Sequence, residues 1–590
     1  KTAKWRYDQG VILKGVEGIW NATGDPRWFN YIQRSMDFYV GNDGSIKGYK
    51  PTEYNIDHVN NGKLLLLLYR VTGKEKYWKA ATSLRDQLRT HPRTSQGGFW
   101  HKNIYTSQMW LDGLYMGQPF YAEYAFLAHE DPAFNDIIKQ FILMERNSRD
   151  YKTGLLYHGW DESKQQKWAN KETGTSPNFW GRAMGWYAMA LVDVLDYVPA
   201  DHPQRRELIA VLNRLSTAVL KVQDKKNGLW YQVLDRGGEK GNYVEASASS
   251  MFVYALAKGV RKGYLPASIN KAVKKAYNGI LKQFIEVDAN GQTNLKGTVS
   301  VSGLGGNPYR DGSYEYYLSE PVIVNDPKGI GAFILASNEI EMLPTQGEGK
   351  GKTVLLDNYF NSETKKDITG KMSPWHYTWD DLSNSGFSAL GKIFEQHGAK
   401  TATLTQAPTA HDLSKASVYI IVDPDHEKDN PKPNYMQPQH AREIYNWVKG
   451  GGVLAIFLND SINTEFKNFN QLPQKFGITF NQDARNLVKN DQFEQGAFII
   501  LSNHSIFKTA KKIYVKELST LNVTKPAKAV LTEGGDNIIA VAKVGKGTVF
   551  AIGDPWLYNE YVDGRKLPLE YENFKAANDL VKWLLKQSKR

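Results

Sequence analysis

The chain has 590 residues, of which 41% are hydrophobic and 23% charged, and it carries a net charge of +12 with no cysteine. That composition fits a globular protein with an ample core; it excludes disulfides, thiolate metal sites and a cysteine nucleophile, and the longest apolar run, residues 64–68, is far short of the ~20 residues a membrane helix needs. Lysine and arginine are interspersed with acids rather than blocked, so nucleic acid is not the expected partner; an anionic substrate or a solvated surface explains the charge.

Through the first ~340 residues, apolar positions recur at three- and four-residue spacing. They predict helices over 5–20, 28–41, 57–71, 75–90, 109–129, 131–149, 180–199, 203–224, 245–262, 266–287 and 327–343. Turn signals at Thr72-Gly73, Asp131-Pro132 and His202-Pro203 separate them. Short links alternate with longer loops at 91–108, 150–179 and 288–326. Helical hairpins repeated in this way predict a toroid of inner and outer helices, and a twelfth helix would close six pairs. It is expected to lie upstream of Lys1 or to be missing; the absence of an initial Met points to a removed segment, either a cleaved export signal or a trimmed terminus.

The loops and helix starts carry the candidate chemistry. Asp57 lies in YNIDHVNNG and Asp112 in MWLDGLYMG, each opening an otherwise apolar helix. A capping role is one reading of each. An acid favoured by the helix dipole but opposed by apolar neighbours is the other. The GGFWHK loop brings His101 and Lys102 just ahead of Trp110. His158 sits in YHGWDES, and FWGRAMGWY places Arg182 and Trp186 four apart on one helix face after Trp180. A cation beside indoles suits a carboxylate-bearing sugar; a structural arginine stacked on tryptophan is the alternative. Glu245, in YVEAS, is either a further acid or a cap. Aromatic residues, 16 Trp and 33 Tyr, cluster beside Gly, Asp and His. They suit stacking on sugar faces or a large aromatic core. No phosphate loop, His-Glu-x-x-His or Gly-x-Ser-x-Gly motif is present.

The character changes near the GEGKGK stretch at 347–352. Beyond it, β-rich runs at 353–359, 417–422, 452–457 and 538–552 alternate with helical runs at 384–397, 437–449 and 571–587. A hairpin is expected at Gly545-Lys546-Gly547. This predicts an all-α barrel over residues 1–345 followed by a smaller α/β domain with a mostly parallel sheet over 346–590.

Taken in order, the helical-domain motifs resemble the unsaturated rhamnogalacturonyl and glucuronyl hydrolases of glycoside hydrolase family 105. The resemblance rests on WRYDQG at 5–10, GGFWHK at 97–102, MWLDGLYMG at 109–117, HGWDES at 158–163, SPNFWGRAMGWY at 176–187, GLWYQ at 228–232 and DPKGIGAFILA at 326–336. It implies an (α/α)6 barrel with Asp112 as general acid/base and Asp57 as its paired acid. It further implies that Tyr7, His101, Lys102, Trp110, Met116, His158, Trp180, Arg182 and Trp186 line the sugar site. The implied substrate is an oligosaccharide capped by a 4,5-unsaturated uronic acid, the product of a polysaccharide lyase, with no metal or cofactor. A periplasmic or secreted location goes with that substrate. The 288–326 loop departs most from the pattern, which leaves linkage preference open. A lyase or a saturated-glycoside hydrolase on the same barrel, and a non-catalytic carbohydrate-binding protein, are the competing readings. The second domain resembles class I glutamine amidotransferases; their nucleophile is a cysteine, so it is expected to be non-catalytic.

Overall fold

A computed structural model describes residues 4–343 and 347–590. It divides into two compact units. The first holds most of residues 4–343; the second holds 347–590 together with Trp20–Arg27 and Arg70–Thr72. The boundary expected at residue 345 lies outside the described residues.

All eleven expected helices of the first unit are present. They are α1 (Tyr7–Thr23), α2 (Pro26–Asp37), α3 (Gly62–Thr72), α4 (Glu75–Thr90), α5 (Leu111–Leu127), α6 (Ala133–Ser148), α7 (Gly181–Val194), α8 (Arg205–Lys221), α9 (Ala246–Arg261) and α10 (Asn270–Phe284), then, after the six-residue α11 (Tyr314–Ser319), α12 (Pro327–Met342). Helices α5, α7 and α9 are buried on almost every side. Such helices belong inside a bundle, whereas α4, α6, α8 and α10 bury one stripe and cover them from outside. The inner helices touch in sequence: the 3-10 helix Ile56–Asn61 that leads into α3 meets α5, then α5 meets α7, α7 meets α9, and α9 meets α12. Helix α1 completes the ring. Asn60 and Asn61 donate to the carbonyls of Tyr7 and Arg6 at its start. On its opposite flank it meets α12 so closely that a Cβ on Gly331 would stand 2.6 Å from the Val11 carbonyl oxygen. Six inner and five outer helices are thus found among the described residues.

Local chemistry sets the helix ends. Gly73, in the left-handed region at φ 67°, closes α3 after Thr72. Asp326 caps α12 by accepting from Lys328 N–H, with Pro327 at the first helical position. At two boundaries a strand takes the place of the expected helix end. The run at 109–129 starts as a helix only at Leu111, because residues 108–110 form strand β1 (Gln108–Trp110), paired antiparallel with β2 (Gly159–Asp161). The run at 266–287 ends at Phe284, where β3 (Ile285–Val287) begins and pairs with β4 (Thr293–Leu295). The 288–326 loop is more ordered than its sequence shows. Besides β4 and α11 it holds β5 (Thr298–Val299) and β6 (Val322–Ile323), which pair with each other.

In the second unit a nine-stranded sheet carries the core. Five strands are parallel, in the order Lys400–Leu404, Thr353–Asp357, Val418–Val422, Val453–Phe457 and Gly547–Ile552. The remaining four are antiparallel additions at one side. The mostly parallel expectation holds for those five strands, while the sheet as a whole is mixed. Strands 478–480, 521–523 and 527–533 are short or half-buried and gave no clear apolar run. The hairpin at Gly545-Lys546 is present, with Gly545 at φ 58° and Val544 paired to Gly547. Helices Ser388–Gln396, Pro438–Lys449 and Asn573–Gln587 occupy the three expected helical runs.

The α1–α12 contact leaves no room for a side chain. Gly331→Val is expected to destabilise the helical unit by about 1–3 kcal/mol through overpacking. Its thermal unfolding, followed by tryptophan fluorescence, should shift down; an unchanged midpoint would contradict the overpacking.

Candidate active site

The first turns of the inner helices converge at one end of the barrel. Tyr7 opens α1, Asp57 lies in the 3-10 helix before α3, Asp112 is the second residue of α5, Arg182 the second of α7, and Lys328 the second of α12. Tyr7 feels Arg182, Asp57 and Asp112 together, which places these groups around one space. Unpaired backbone N–H groups at such helix starts give that space a positive bias.

Backbone bonds between loops set the two acids against their partners. Register in the β1–β2 pair puts Trp110 opposite Gly159, and Leu111 N–H donates to the His158 carbonyl (3.0 Å). Asp112 and His158 therefore leave the same strand pair side by side. A Cβ on Gly159 would stand 2.5 Å from Leu304 Cδ1 and 3.2 Å from the Trp110 indole, so a side chain there would displace Leu304. On the other side Ile56 N–H donates to the His101 carbonyl (3.2 Å), which brings Asp57 against His101 and Lys102.

Asp112 does not cap its helix. Trp110 is the cap residue and the Asp112 carboxylate takes no backbone N–H, so the capping reading falls. Its Oδ2 lies 3.1 Å from His158 Nε2, without the alignment of a hydrogen bond. His158 is wholly buried and its Nδ1 is 2.7 Å from the Tyr317 hydroxyl. Asp57 is not a cap either: Asn55 accepts its N–H, and its carboxylate pairs with Lys102 Nζ at 2.7 Å and faces His101 Nε2 at 3.4 Å. Burial pushes the Asp57 carboxyl up, but Lys102 and His101 outweigh it and hold it below the ordinary range. Burial drives the His101 imidazole down to about 4 despite Asp57, and that of neighbouring His91 likewise to about 4.

Aromatic rings wall the space. Trp110 stacks on both His101 (4.4 Å) and Tyr105 (4.7 Å), which themselves lie 6.2 Å apart. Trp180 packs on His158 (4.8 Å) and donates Nε1–H to Gln232. Met116 is buried one turn along α5 from Asp112. Trp186 is buried and stacked on Tyr115 (4.6 Å), whose ring also receives Lys63 Nζ at 3.7 Å.

Arg182 is held by the protein itself. It is 1% exposed. Its Nε donates to Ser247 (2.8 Å) and Nη1 to the Ser300 carbonyl (3.3 Å); Nη2 donates to the Val299 carbonyl and faces Glu245 at 3.5 Å. Glu245 is a cap, accepting Ala248 N–H at 2.7 Å, and it also takes Val299 N–H at 2.9 Å. Together the pair fastens the start of the 298–326 segment to α7 and α9.

That segment supplies groups the sequence reading missed. Besides Tyr317 it brings Arg310, whose Nη2 donates to the Tyr105 hydroxyl at 2.9 Å and which lies within electrostatic reach of Lys102. A local signal existed for Tyr317 alone: Ser313 caps α11 by accepting Tyr316 N–H, which makes EYYLS a helical turn with Tyr314 and Tyr317 on its buried face.

Residues 1–344 match the family model described as Glycosyl Hydrolase Family 88. A solved glycoside hydrolase from family 105 of C. acetobutylicum ATCC 824 is 54% identical, covers 58% of this chain and 95% of its own, and superposes with a TM-score of 0.57. Protein Atu3128 of Agrobacterium fabrum is 42% identical over 234 residues, 39% of this chain and 99% of that protein. The unsaturated rhamnogalacturonyl hydrolase YesR of Bacillus subtilis is 29% identical over 258 residues, 43% of this chain and 70% of that protein.

Two measurable consequences follow from this packing. Arg182→Met should cost about 3–5 kcal/mol in chemical denaturation, since it strands Glu245 buried without its cation. Acidification should also destabilise the fold. His91 and His101 stay neutral in the native state down to about pH 4, whereas the unfolded chain protonates them near 6.5. Stability is then full above about pH 6.5 and lost as the pH falls toward 4, by up to about 3 kcal/mol per imidazole. A denaturation midpoint that is flat from pH 7 to 4.5 would contradict this; His91→Gln should flatten it in part.

Proposed function

Because the chain belongs to glycosyl hydrolase family 88/105 over its first 344 residues and is a glycoside hydrolase, we propose that it removes a 4,5-unsaturated uronic acid from the non-reducing end of lyase-generated oligosaccharides. The observation that carries this reading is the Asp112 carboxyl. It is uncapped, partly open to solvent at 13% side-chain exposure, and has an imidazole 3.1 Å away.

In such a substrate the C4=C5 double bond is conjugated to the carboxylate, and the ring oxygen on C5 makes it an enol ether. Asp112 delivers its proton to C4; the C4–H bond forms from the alkene pair and C5 becomes oxocarbenium-like. Asp112, now a carboxylate, takes a proton from the water that adds at C5. The hemiketal so formed opens, the aglycone leaves, and a 4-deoxy-5-keto uronate remains. No attack at C1 is needed, so the carboxylate spacings of retaining and inverting glycosidases do not apply. Asp57, held as a carboxylate by Lys102, acts as an acceptor for sugar hydroxyls rather than as a second acid. Of Lys102, Arg182 and His158, the groups that could meet the uronate carboxylate, Lys102 is the accessible one, with 23% of its side chain exposed against 1% for Arg182 and none for His158. Stacking falls to Tyr105, the partly exposed ring beside buried His101 and Trp110, more than to buried Trp186. The second unit is read as non-catalytic for amide transfer, since the chain lacks a cysteine.

The test follows the ultraviolet absorbance of the unsaturated uronate on a panel of lyase-generated disaccharides. Wild type should bleach it, and Asp112→Asn should lose at least about 10²-fold in kcat, the lower range for general acid–base assistance. Equal bleaching by both proteins would remove Asp112 from its role. Release of sugar from saturated oligosaccharides with no bleaching would replace the reaction itself.

A further inference from the structure

Tyr317 is wholly buried on α11 and cannot touch a bound sugar, yet its hydroxyl ends 2.7 Å from His158 Nδ1. That nitrogen is the one hydrogen-bond partner the hydroxyl has among the described residues. The phenol is kept protonated by its burial, with Tyr316 and Asp112 adding to the effect. A buried O–H with a single acceptor in reach donates to it, because the reverse arrangement would leave the phenolic hydrogen without a partner. His158 Nδ1 is therefore the lone-pair nitrogen, and the ring hydrogen sits on Nε2, facing Asp112 Oδ2 at 3.1 Å.

We propose that Tyr317 is a positioning residue that locks His158 in the Nε2–H tautomer, so that the proton held by Asp112 passes to the substrate and not to the imidazole. The proposal rests on the reading of Asp112 as the acid/base. In the opposite tautomer an Nε2 lone pair would face the Asp112 carboxyl and accept its proton, leaving the acid empty before the alkene is reached. With the lock in place that nitrogen is already occupied. As the proton moves from Asp112 to C4, the new carboxylate receives the Nε2–H hydrogen bond, which tightens as charge develops. Tyr317 loses no proton at any step. Alignment between Nε2 and Oδ2 is imperfect without substrate, as is common for catalytic contacts before the complex forms.

The surroundings hold the lock in register. Trp180 packs on both His158 (4.8 Å) and Tyr317 (6.0 Å), and Trp110 meets the edge of His158 at 5.4 Å. Gln232 accepts from the Trp180 indole and donates to the Tyr317 carbonyl (3.1 Å), which fixes α11 on the same group that fixes the indole.

The experiment combines steady-state kinetics with imidazole nitrogen NMR of protein labelled with 15N-histidine. The His158 signals are identified by their loss in His158→Gln. Wild type should show His158 with a bare, hydrogen-bonded Nδ1 and a protonated Nε2; Tyr317→Phe should show Nδ1–H or a mixture. On unsaturated disaccharides, Tyr317→Phe should lower kcat by about tenfold or more with KM within about twofold, a split expected when only transition-state stabilisation is lost. Adding it to His158→Gln should cost nothing further, because both act through one unit. A wild-type spectrum with Nδ1–H overturns the lock, as does full kcat in folded Tyr317→Phe. Wild type that bleaches no unsaturated uronate overturns the functional reading instead, and the wild-type spectrum then decides the tautomer alone. It does so as well if Tyr317→Phe does not fold.

Discussion

Three residue pairs in antiparallel register, 108–110 against 159–161, determine where Asp112 and His158 stand. The pairing joins two loops from different helical hairpins just where each leads to one of these two residues. Asp112 follows one strand by two residues and His158 precedes the other by one. A slip of a single residue would turn Trp110 off the His101–Tyr105 stack and carry Asp112 away from the imidazole, since side-chain direction alternates along a strand. The absence of a side chain at Gly159 lets the indole and Leu304 close over the pair.

A second constraint holds the far wall. Arg182 and Glu245 are buried charges, and such pairs are poor sources of net stability because desolvation offsets their attraction. Here they do something more specific: between them they bind both the N–H and the carbonyl of Val299 and the carbonyl of Ser300. That anchors β5, whose partner β6 lies three residues after α11, so the placement of Tyr317 is tied to charges on two inner helices. The Asp57–Lys102 pair is different, being partly open, with 12% and 23% of the two side chains exposed.

The barrel was legible because its helices repeat an apolar period and end at recognisable caps such as Gly73 and Asp326. The acids were legible as acids at helix starts, but whether they capped was not. Capping depends on the residue just before the helix, and there the structure placed Trp110 and Asn55 in the positions that sequence alone offered to Asp112 and Asp57. Arg182 could be read as buried but not as saturated, since its acceptors are carbonyls more than a hundred residues away. The same distance hid Tyr317 and Arg310: the 288–326 segment has strands of two and three residues, too short to announce a period, and only its long-range bonds reveal its order. In the second unit the fully buried parallel strands stood out as apolar runs, while half-exposed edge strands such as 527–533 did not.

The ring of inner helices closes where α1 meets α12, two elements separated by some three hundred residues of chain. Contacts of that span are entropically costly to form before the intervening helices have packed. During synthesis α1 must therefore wait, its glycine-lined flank uncovered, until nearly the whole barrel has been made. Tyr7 belongs to α1 and Lys328 to α12, so the part of the acid-bearing end that these two residues line is complete only once the two helices have docked, whereas Asp57 and Asp112 are set by contacts within residues 55–161.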